Sequence, residues 1–367
     1  MNTELYGTRL YITESNLEHN VKYISQNNNN MIVMVKANAY GHGDIIMTKK
    51  MEQLGVNFFG VADFEEGVAL RKSGVKSTIM VMNPGINNIQ TIINEGLEIV
   101  IYNTEILRQV ISFAKEKNKK ANSIPIHIKI NTGMNRWGVS LSDLSDLIAI
   151  IKSEKSLKVA SIYSHLSSAQ NNKDDHFTMK QIDRFLVVKS EFSKQFRYKI
   201  HSHIFNSKGW ARFRKKTSST FSHSRIGIAL YGGFKHLELK PISELKCSVS
   251  QIRNIGPNEY VGYNNNFISK QNLKIGIIPF GYADGLQRSW GNGLLSFYYK
   301  GKFLPTIGEI SMDSCVIDLS GVSDISVGDD VLYFGVARPI WNLANELNTI
   351  PYEIMATLSR RIKRIYI

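Results

Sequence analysis

Seven apolar runs, each five or six residues long, recur through the first two thirds of this 367-residue chain, at residues 31–35, 57–62, 78–82, 98–102, 126–130, 159–163 and 200–205. Short apolar runs bounded by turn residues read as buried strands. Between them lie polar stretches with helical spacing. Asp44 heads one that runs to Leu54, Asp63 one that runs through Ala69 to Arg71, and Thr104 one that continues through Lys117. Residues 173–194 predict a longer helix with Met179, Ile182, Phe185 and Leu186 on one face. Strands alternating with helices make βαβ units and a parallel sheet. An eighth strand is needed to close a barrel, and residues 221–225 or 226–230 can supply it. The first choice is preferred, because Gly227 and Ile228 then open the next turn. Their backbone N–H groups can meet a phosphate, as recurs after strands seven and eight of (β/α)8 barrels.

The texture changes after about residue 240. Short β-like runs at 247–252, 273–279, 294–299, 303–307, 314–319 and 330–334 are separated by Gly, Asn and Pro, and no strong helix is expected before 341–347. The expected fold is therefore α/β: an N-terminal (β/α)8 TIM-type barrel over residues 1–238 and a C-terminal, mostly-β domain over 239–367. The first eight residues or so precede the barrel and are free to pair with the second domain. The Asn27–Asn30 tract reads as a short loop.

Bulk properties narrow the function. With 43% hydrophobic and 21% charged residues the composition is that of a globular protein. No apolar run is long enough to span a bilayer, and the start MNTELYGTRL lacks the apolar core of a secretory signal. Cys247 and Cys315 do not suggest a disulfide framework. A cytoplasmic location is expected, with no membrane partner. The net charge of +14 raises a nucleic-acid partner. The basic residues are spread over short runs, however, and no nucleic-acid-binding module is present, so none is expected. No metal-ligand cluster is expected either.

The first apolar run ends in a lysine: Met31-Ile-Val-Met-Val-Lys36-Ala-Asn-Ala-Tyr40-Gly-His-Gly43. A lysine at a strand tip can simply snorkel to solvent. Partial desolvation would instead lower its pKa and free the amine as a nucleophile or base. On strand five, alternation puts His127 and Lys129 on one face, so at least one buried cation needs an explanation.

The segment VKANAYGHG at residues 35–43 closely resembles the cofactor-lysine motif of alanine racemases, which use pyridoxal phosphate. Other segments resemble that family in the same order along the chain, from about residue 5 to residue 366. The resemblance implies that Lys36 holds the cofactor and serves as one catalytic base, with Tyr40 beside it. It implies that Tyr163 and His165 stand at the tip of strand six, the histidine beside the cofactor ring. Asn206 and Ser207 would contact the phosphate with Gly227 and Ile228, and Arg225 would face the pyridine nitrogen. Arg136 would position the tyrosine and the substrate carboxylate. Lys129 matches a lysine that is carbamylated in some members.

In the second domain, Val261-Gly-Tyr263-Asn-Asn-Asn-Phe267 resembles the segment of the second base, Tyr263. The family's tyrosine reaches the lysine of the other subunit, which implies a head-to-tail homodimer with shared sites. Met312 and Asp313 fit a Met-Asp pair that also crosses that interface. Tyr282, in Phe280-Gly-Tyr282-Ala-Asp-Gly285, and Arg288 match a signature lining the access channel, and Tyr352 matches a tyrosine near the phosphate. The implied reaction is the interconversion of L- and D-alanine, supplying D-alanine for peptidoglycan. The alternative is a relaxed-specificity or serine/lysine racemase of the same fold. A related PLP decarboxylase is disfavoured by the Lys36/Tyr263 pair, and a single-domain PLP carrier by the β-rich second domain.

Four positions depart from the family pattern. Asn131 stands where an aspartate is common, Glu309 where arginine is usual, and Asn171 and Asn172 near an access-channel acid. Glu309 reads either as a compensated charge swap with no kinetic effect or as a change that relaxes the rejection of larger or cationic amino acids.

Overall fold

In the computed structural model, the strand-helix alternation closes on itself. The structure describes residues 7–26, 30–217 and 220–367. Strand β1 (Thr8–Ile12) precedes eight parallel strands: β2 (Asn30–Met34), β3 (Phe58–Val61), β4 (Thr78–Val81), β5 (Glu98–Ile101), β6 (Ile124–Lys129), β7 (Leu157–Tyr163), β8 (His201–His203) and β9 (His223–Ile226). Strands β2 to β8 lie side by side in chain order, and β9 returns beside β2. The ring closes between β8 and β9 through the Ser222 N–H on the Ser202 carbonyl (2.8 Å) and the Arg225 N–H on the Phe205 carbonyl (2.9 Å). Both strand faces are covered, which is why runs such as Ile99-Val-Ile101 are apolar throughout rather than alternating. Ile32, Met80, Val100 and Tyr163 meet as a layer inside the barrel.

The outer helices are α1 (Glu14–Ser25), α2 (Asp44–Gln53), α3 (Phe64–Lys72), α4 (Ile89–Asn94), α5 (Thr104–Glu116), α6 (Leu144–Ser153), α7 (Asp175–Gln195) and α8 (Ser207–Thr217). Asp63 caps α3 by accepting from the Glu66 N–H. Helix α5 is capped by Asn103, one residue before the expected Thr104. The Asn103 amide oxygen accepts the Ile106 N–H from an extended backbone, and Thr104 becomes the first helical residue. Helix α7 is rotated from the expected face. It buries Thr178, Gln181, Ile182, Phe185, Val188 and Phe192, and leaves Met179 41% exposed. The cause is Gln181, whose amide accepts the Ser167 N–H and donates to the His165 carbonyl, both at 3.0 Å. A buried polar side chain with two backbone partners outweighs one methionine.

The second sheet has nine strands. They are β1 with β10 (Ser243–Ser248), β11 (Gln251–Ile255), β14 (Leu273–Ile278), β15 (Ser296–Tyr299), β16 (Lys302–Ile307), β17 (Cys315–Asp318), β18 (Asp330–Phe334) and β19 (Lys363–Tyr366), in the order β11-β14-β17-β16-β15-β18-β10-β1-β19. A small ribbon, β12 (Tyr260–Val261) with β13 (Phe267–Ile268), stands apart, and two short helices, α9 (Ile340–Glu346) and α10 (Pro351–Ala356), follow β18. Strand β1 pairs antiparallel with β10 and parallel with β19. The run expected at 247–252 is two strands. At the break the Val249 N–H turns to Asp329 and the Ser250 N–H to Ile277, so the chain changes partners.

The chain divides into two compact units, one of residues 21–39 and 44–229, the other of residues 40–43 and 230–367 with the N-terminal segment to residue 20. The expectations for residues 1–6 and for the loop at 27–29 lie outside the described residues. Among the described residues no helix is long and apolar enough to cross a membrane, and no His/Cys/Asp/Glu group could hold a metal.

Candidate active site

Lys36 follows the end of β2, after the Val35 N–H has bonded to the Gly60 carbonyl at 2.9 Å. The next four residues, Ala37 to Tyr40, have φ between 51° and 55°. This is a left-handed turn, which costs an L-residue about 1–2 kcal/mol each. Glu66 helps to hold it in place: one carboxylate oxygen accepts the Ala37 N–H at 2.6 Å and the other the Ala62 N–H at 2.7 Å. Asn38 accepts the Asp44 N–H at 3.2 Å. Strain of this kind persists only where surrounding structure over-determines it, and it gathers at functional sites. The Lys36 side chain is partly open to water. Its amine is nonetheless lowered, first by desolvation and then by Arg136 and Arg225, against an opposing pull from Glu66.

Residues 40–43 belong to the second unit. Tyr40 stacks on Tyr231 at 4.9 Å and lies 6.1 Å from the Tyr352 ring. Burial pushes the Tyr40 hydroxyl up and that of Tyr352 to about 12. Gly41 has φ +80°, and a Cβ there would sit 2.1 Å from the Met355 carbonyl oxygen, in the helix that carries Tyr352. Only glycine meets both demands.

Arg225 lies in β9 and is 3% exposed. One terminal nitrogen donates to His203 Nδ1 at 2.6 Å. The other donates to the Ser164 carbonyl at 2.5 Å and meets His165 Nδ1 at 3.2 Å. The Tyr163 ring lies 4.9 Å beneath the guanidinium. Burial lowers Arg225 to about 10. Burial and the nearby cations hold His165 and His203 well below the usual histidine range, so both accept from Arg225 as neutral rings.

Asn206 caps α8 by accepting the Gly209 N–H at 2.9 Å, and its amide reaches His165 Nε2 at 3.5 Å. Ser207 Oγ accepts the N–H groups of Gly227 (3.1 Å) and Ala229 (3.3 Å), which ties the helix start to the turn after β9. Ile228 lies in that turn, 1% exposed. A helix start beside a turn of backbone donors suits an anion.

Lys129 ends β6 and is 4% exposed. Its amine lies 5.0 Å from the Trp137 ring and 5.9 Å from the Tyr163 ring. Burial, then Arg225, Arg136 and Lys36, lowers it to about 7. Arg136 is exposed, over Trp137 at 5.6 Å. Asn131 folds the loop that carries it, accepting the N–H groups of Gly133 and Asn135, each at 3.1 Å. The barrel unit thus assembles Lys36, Lys129, Arg136, Tyr163, His165, Asn206, Ser207, Arg225, Gly227 and Ile228.

Tyr263 belongs to the second unit and is 65% exposed. It lines an open depression with Asn264, Tyr282, Arg288, Ile310 and Ser311. Tyr282 and Met312 are also exposed. The Tyr282 N–H bonds to Ser311 and the Ala283 N–H to Met312. Asp313 pairs with Arg361 at 2.7 Å, and Arg361 also holds Asp284 at 2.6 Å. Glu309 pairs with Arg288 and accepts from Asn264 (3.2 Å) and Asn266 (2.8 Å), on either side of Asn265 in the tyrosine's turn. Asn171 caps a short turn by accepting the Lys173 N–H.

Sequence reasoning missed Glu66 and His203. Glu66 carries a signal, since Asp63-x-x-Glu66 has capping-box spacing, although its carboxylate serves Ala62 and Ala37 instead of its own cap. His203 carries a weaker one, a second histidine two positions after His201 in the strand candidate Ile200-His-Ser-His-Ile-Phe205.

Fold and site together define a class: a (β/α)8 barrel enzyme with a lysine of lowered pKa at a strand tip, joined to a β-rich domain. The family profile "Alanine racemase, N-terminal domain" matches residues 12–234, and "Alanine racemase, C-terminal domain" matches residues 242–366. The chain belongs to the alanine racemase family. It is 34% identical over 365 residues to the alanine racemase of Aquifex aeolicus, covering 98% of each chain. Alanine racemase 1 of Caldanaerobacter subterraneus subsp. tengcongensis is 30% identical over 375 residues, covering 98% of this chain and 94% of the relative. Among solved structures, the alanine racemase of Bartonella henselae with covalently bound pyridoxal phosphate superposes with a TM-score of 0.87 at 27% identity, covering 99% of this chain and all of that one.

Proposed function

We propose that this chain interconverts L- and D-alanine with pyridoxal phosphate carried on Lys36, and that it supplies D-alanine for the cell wall from the cytoplasm. The single observation that carries the reading is the arrangement of Lys36 and Arg225 within one barrel: a lowered amine at a strand tip and a guanidinium anchored by neutral acceptors. The donor set fits the cofactor. Lys36 suits its aldehyde, the Ser207 helix start and the 227–229 turn suit its phosphate, and His165 would stand beside its ring. Arginine has no acceptor, so Arg225 facing the ring nitrogen of a bound cofactor would leave that nitrogen unprotonated and discourage full carbanion chemistry. When bound, the cofactor withdraws electron density from the substrate's Cα and makes its proton removable.

This chain's residues move that proton. Lys36 takes or returns it on one face and Tyr263 on the other, as a change of hand requires two acid–base groups. A phenol with a pKa near 10 needs roughly 4 kcal/mol of help to act as a base near neutrality, and Arg136 and His165 are proposed to give it. Arg136 holds the substrate carboxylate, and Met312, Asp313 and Tyr282 bound the substrate. Tyr263 serves the Lys36 of a second copy, so the working form is a homodimer with shared sites.

The test is chiral chromatography of products from purified, PLP-loaded protein given L-alanine, L-serine or L-lysine. D-alanine alone is expected, and Lys36→Ala abolishes it. Comparable D-serine or D-lysine would replace this reading with a relaxed racemase, and no D-product from any substrate would overturn it.

A further inference from the structure

Arg225 is not held by His203 alone. A line of hydrogen bonds crosses the barrel interior from β9 to β5, one strand at a time. Arg225 donates to His203 Nδ1 at 2.6 Å, and His203 Nε2 meets Ser161 Oγ at 3.1 Å. Ser161 Oγ meets His127 Nδ1 at 2.7 Å, and His127 Nε2 meets Glu98 Oε2 at 2.7 Å. His203, Ser161 and His127 are all at most 1% exposed. Glu98 opens β5 and therefore sits at the end of the barrel opposite the strand tips that carry Lys36 and His165.

The directions of these bonds are fixed by chemistry. Arginine can only donate, so His203 Nδ1 is bare and its proton is on Nε2. That N–H donates to the Ser161 oxygen, which leaves the serine proton for His127 Nδ1. His127 must then carry its own proton on Nε2, facing a carboxylate that only accepts. Four bonds run the same way and end on the one group that can terminate them.

We propose that Glu98, His127 and Ser161 are positioning residues for Arg225. Acting through His203, they select its Nε2-protonated form and so keep a bare nitrogen facing the guanidinium. With the line broken, His203 is free to carry its proton on Nδ1, where it confronts the Arg225 donor. The guanidinium then keeps its bonds to the Ser164 and Ile204 carbonyls but loses the one that fixes its other terminal nitrogen, and a cofactor ring nitrogen facing it would lose a fixed donor. The inference deepens the reading of Arg225 given above and rests on it for its functional consequence.

The primary test needs no cofactor. In protein labelled with [15N]histidine, with His203 assigned from a His203→Gln variant, the expected signal is a neutral imidazole protonated on Nε2. Ser161→Ala converts it to a mixture of the two tautomers, Ser161→Thr restores it, and Glu98→Leu mixes it as well. In PLP-loaded protein, Ser161→Ala lowers kcat for alanine roughly tenfold, the scale on which outer partners of a ligating histidine act, with KM near the parent value. If Ser161→Ala does not fold, Glu98→Leu decides. An unchanged His203 tautomer in the folded variants overturns the proposal. Absence of racemase activity in the parent protein would overturn the function and leave the tautomer experiment to judge the line of bonds by itself.

Discussion

Lys129 is a buried amine that, among the described residues, forms no ion pair. Its nearest company is two aromatic rings and further cations, and its pKa falls to about 7. From about pH 7 to the ordinary lysine value near 10.4, the unfolded chain holds a proton that the folded chain has released, so this residue makes stability rise with pH across that window. Below pH 7 the folded amine is charged as well, and the whole cost of burying it is in place. Replacing it with methionine removes that cost. In CO2-free buffer, Lys129→Met is expected to raise stability at pH 6 by something on the order of 3 kcal/mol, with the gain shrinking toward pH 10. A Tm difference that is flat with pH refutes the assignment. The same neutral amine can form an N–C bond to carbon dioxide with loss of a proton, and the anion produced would sit among Arg136, Arg225 and Lys36. Intact-mass measurement after incubation with bicarbonate at pH 8 is expected to show one added CO2 in the native protein and none in Lys129→Met.

The turn after β2 shows what the sequence hides. The strand itself and the lysine at its tip were legible, because five apolar residues end in a charge and a glycine-rich turn. The left-handed course of Ala37 to Tyr40 was not, because alanine carries no preference for positive φ and the carboxylate that helps to hold it arrives from Glu66, 29 positions away. Ala37 is exposed, so strain can be tested there without opening a cavity. Ala37→Val is expected to cost about 1–2 kcal/mol, and Ala37→Gly to be neutral or mildly stabilising. Urea unfolding midpoints that rank the two variants the other way would contradict the backbone described. The turn around Tyr263 poses the same problem with a clearer signal. Gly262, Asn264 and Asn265 all have positive φ, residues suited to it, and Glu309 ties Asn264 and Asn266 to Arg288. A charge reversal noticed only as a departure from a family pattern is thus a clamp on the loop that presents the tyrosine. Glu309→Ala is expected to lower kcat ten- to a hundredfold, roughly the loss that small displacements of a reacting group produce, while cofactor absorbance stays unchanged. An unaltered kcat would show that the clamp is idle, and equal lysine and alanine rates in Glu309→Arg and the parent would remove its expected influence on substrate size.

Lys36 and Tyr263 lie in different compact units, and both are open to water in the single chain. Large apolar and aromatic side chains near the tyrosine are exposed too: Tyr260, Ile268, Tyr282 and Met312. Such a surface, if it closes around a two-fold axis, meets the same surface reversed, so each subunit would give its lysine to one site and its tyrosine to the other. The proposed arrangement makes a numerical demand. Lys36→Ala and Tyr263→Phe are each expected to be inactive alone as racemases. When the two variants are mixed, dissociated and reassembled, half of the dimers carry one of each chain. Within such a dimer one site has both an intact lysine and an intact tyrosine, and the other has neither. Activity should therefore return to about a quarter of the native level per site, in proportion to the mixed dimer isolated by differential tagging. Sites built from one chain alone give a different result, because no reassembly of the two variants then puts the missing groups together. Recovery that stays at zero while mixed dimers are present would mean that Lys36 and Tyr263 of the same chain must act as a pair.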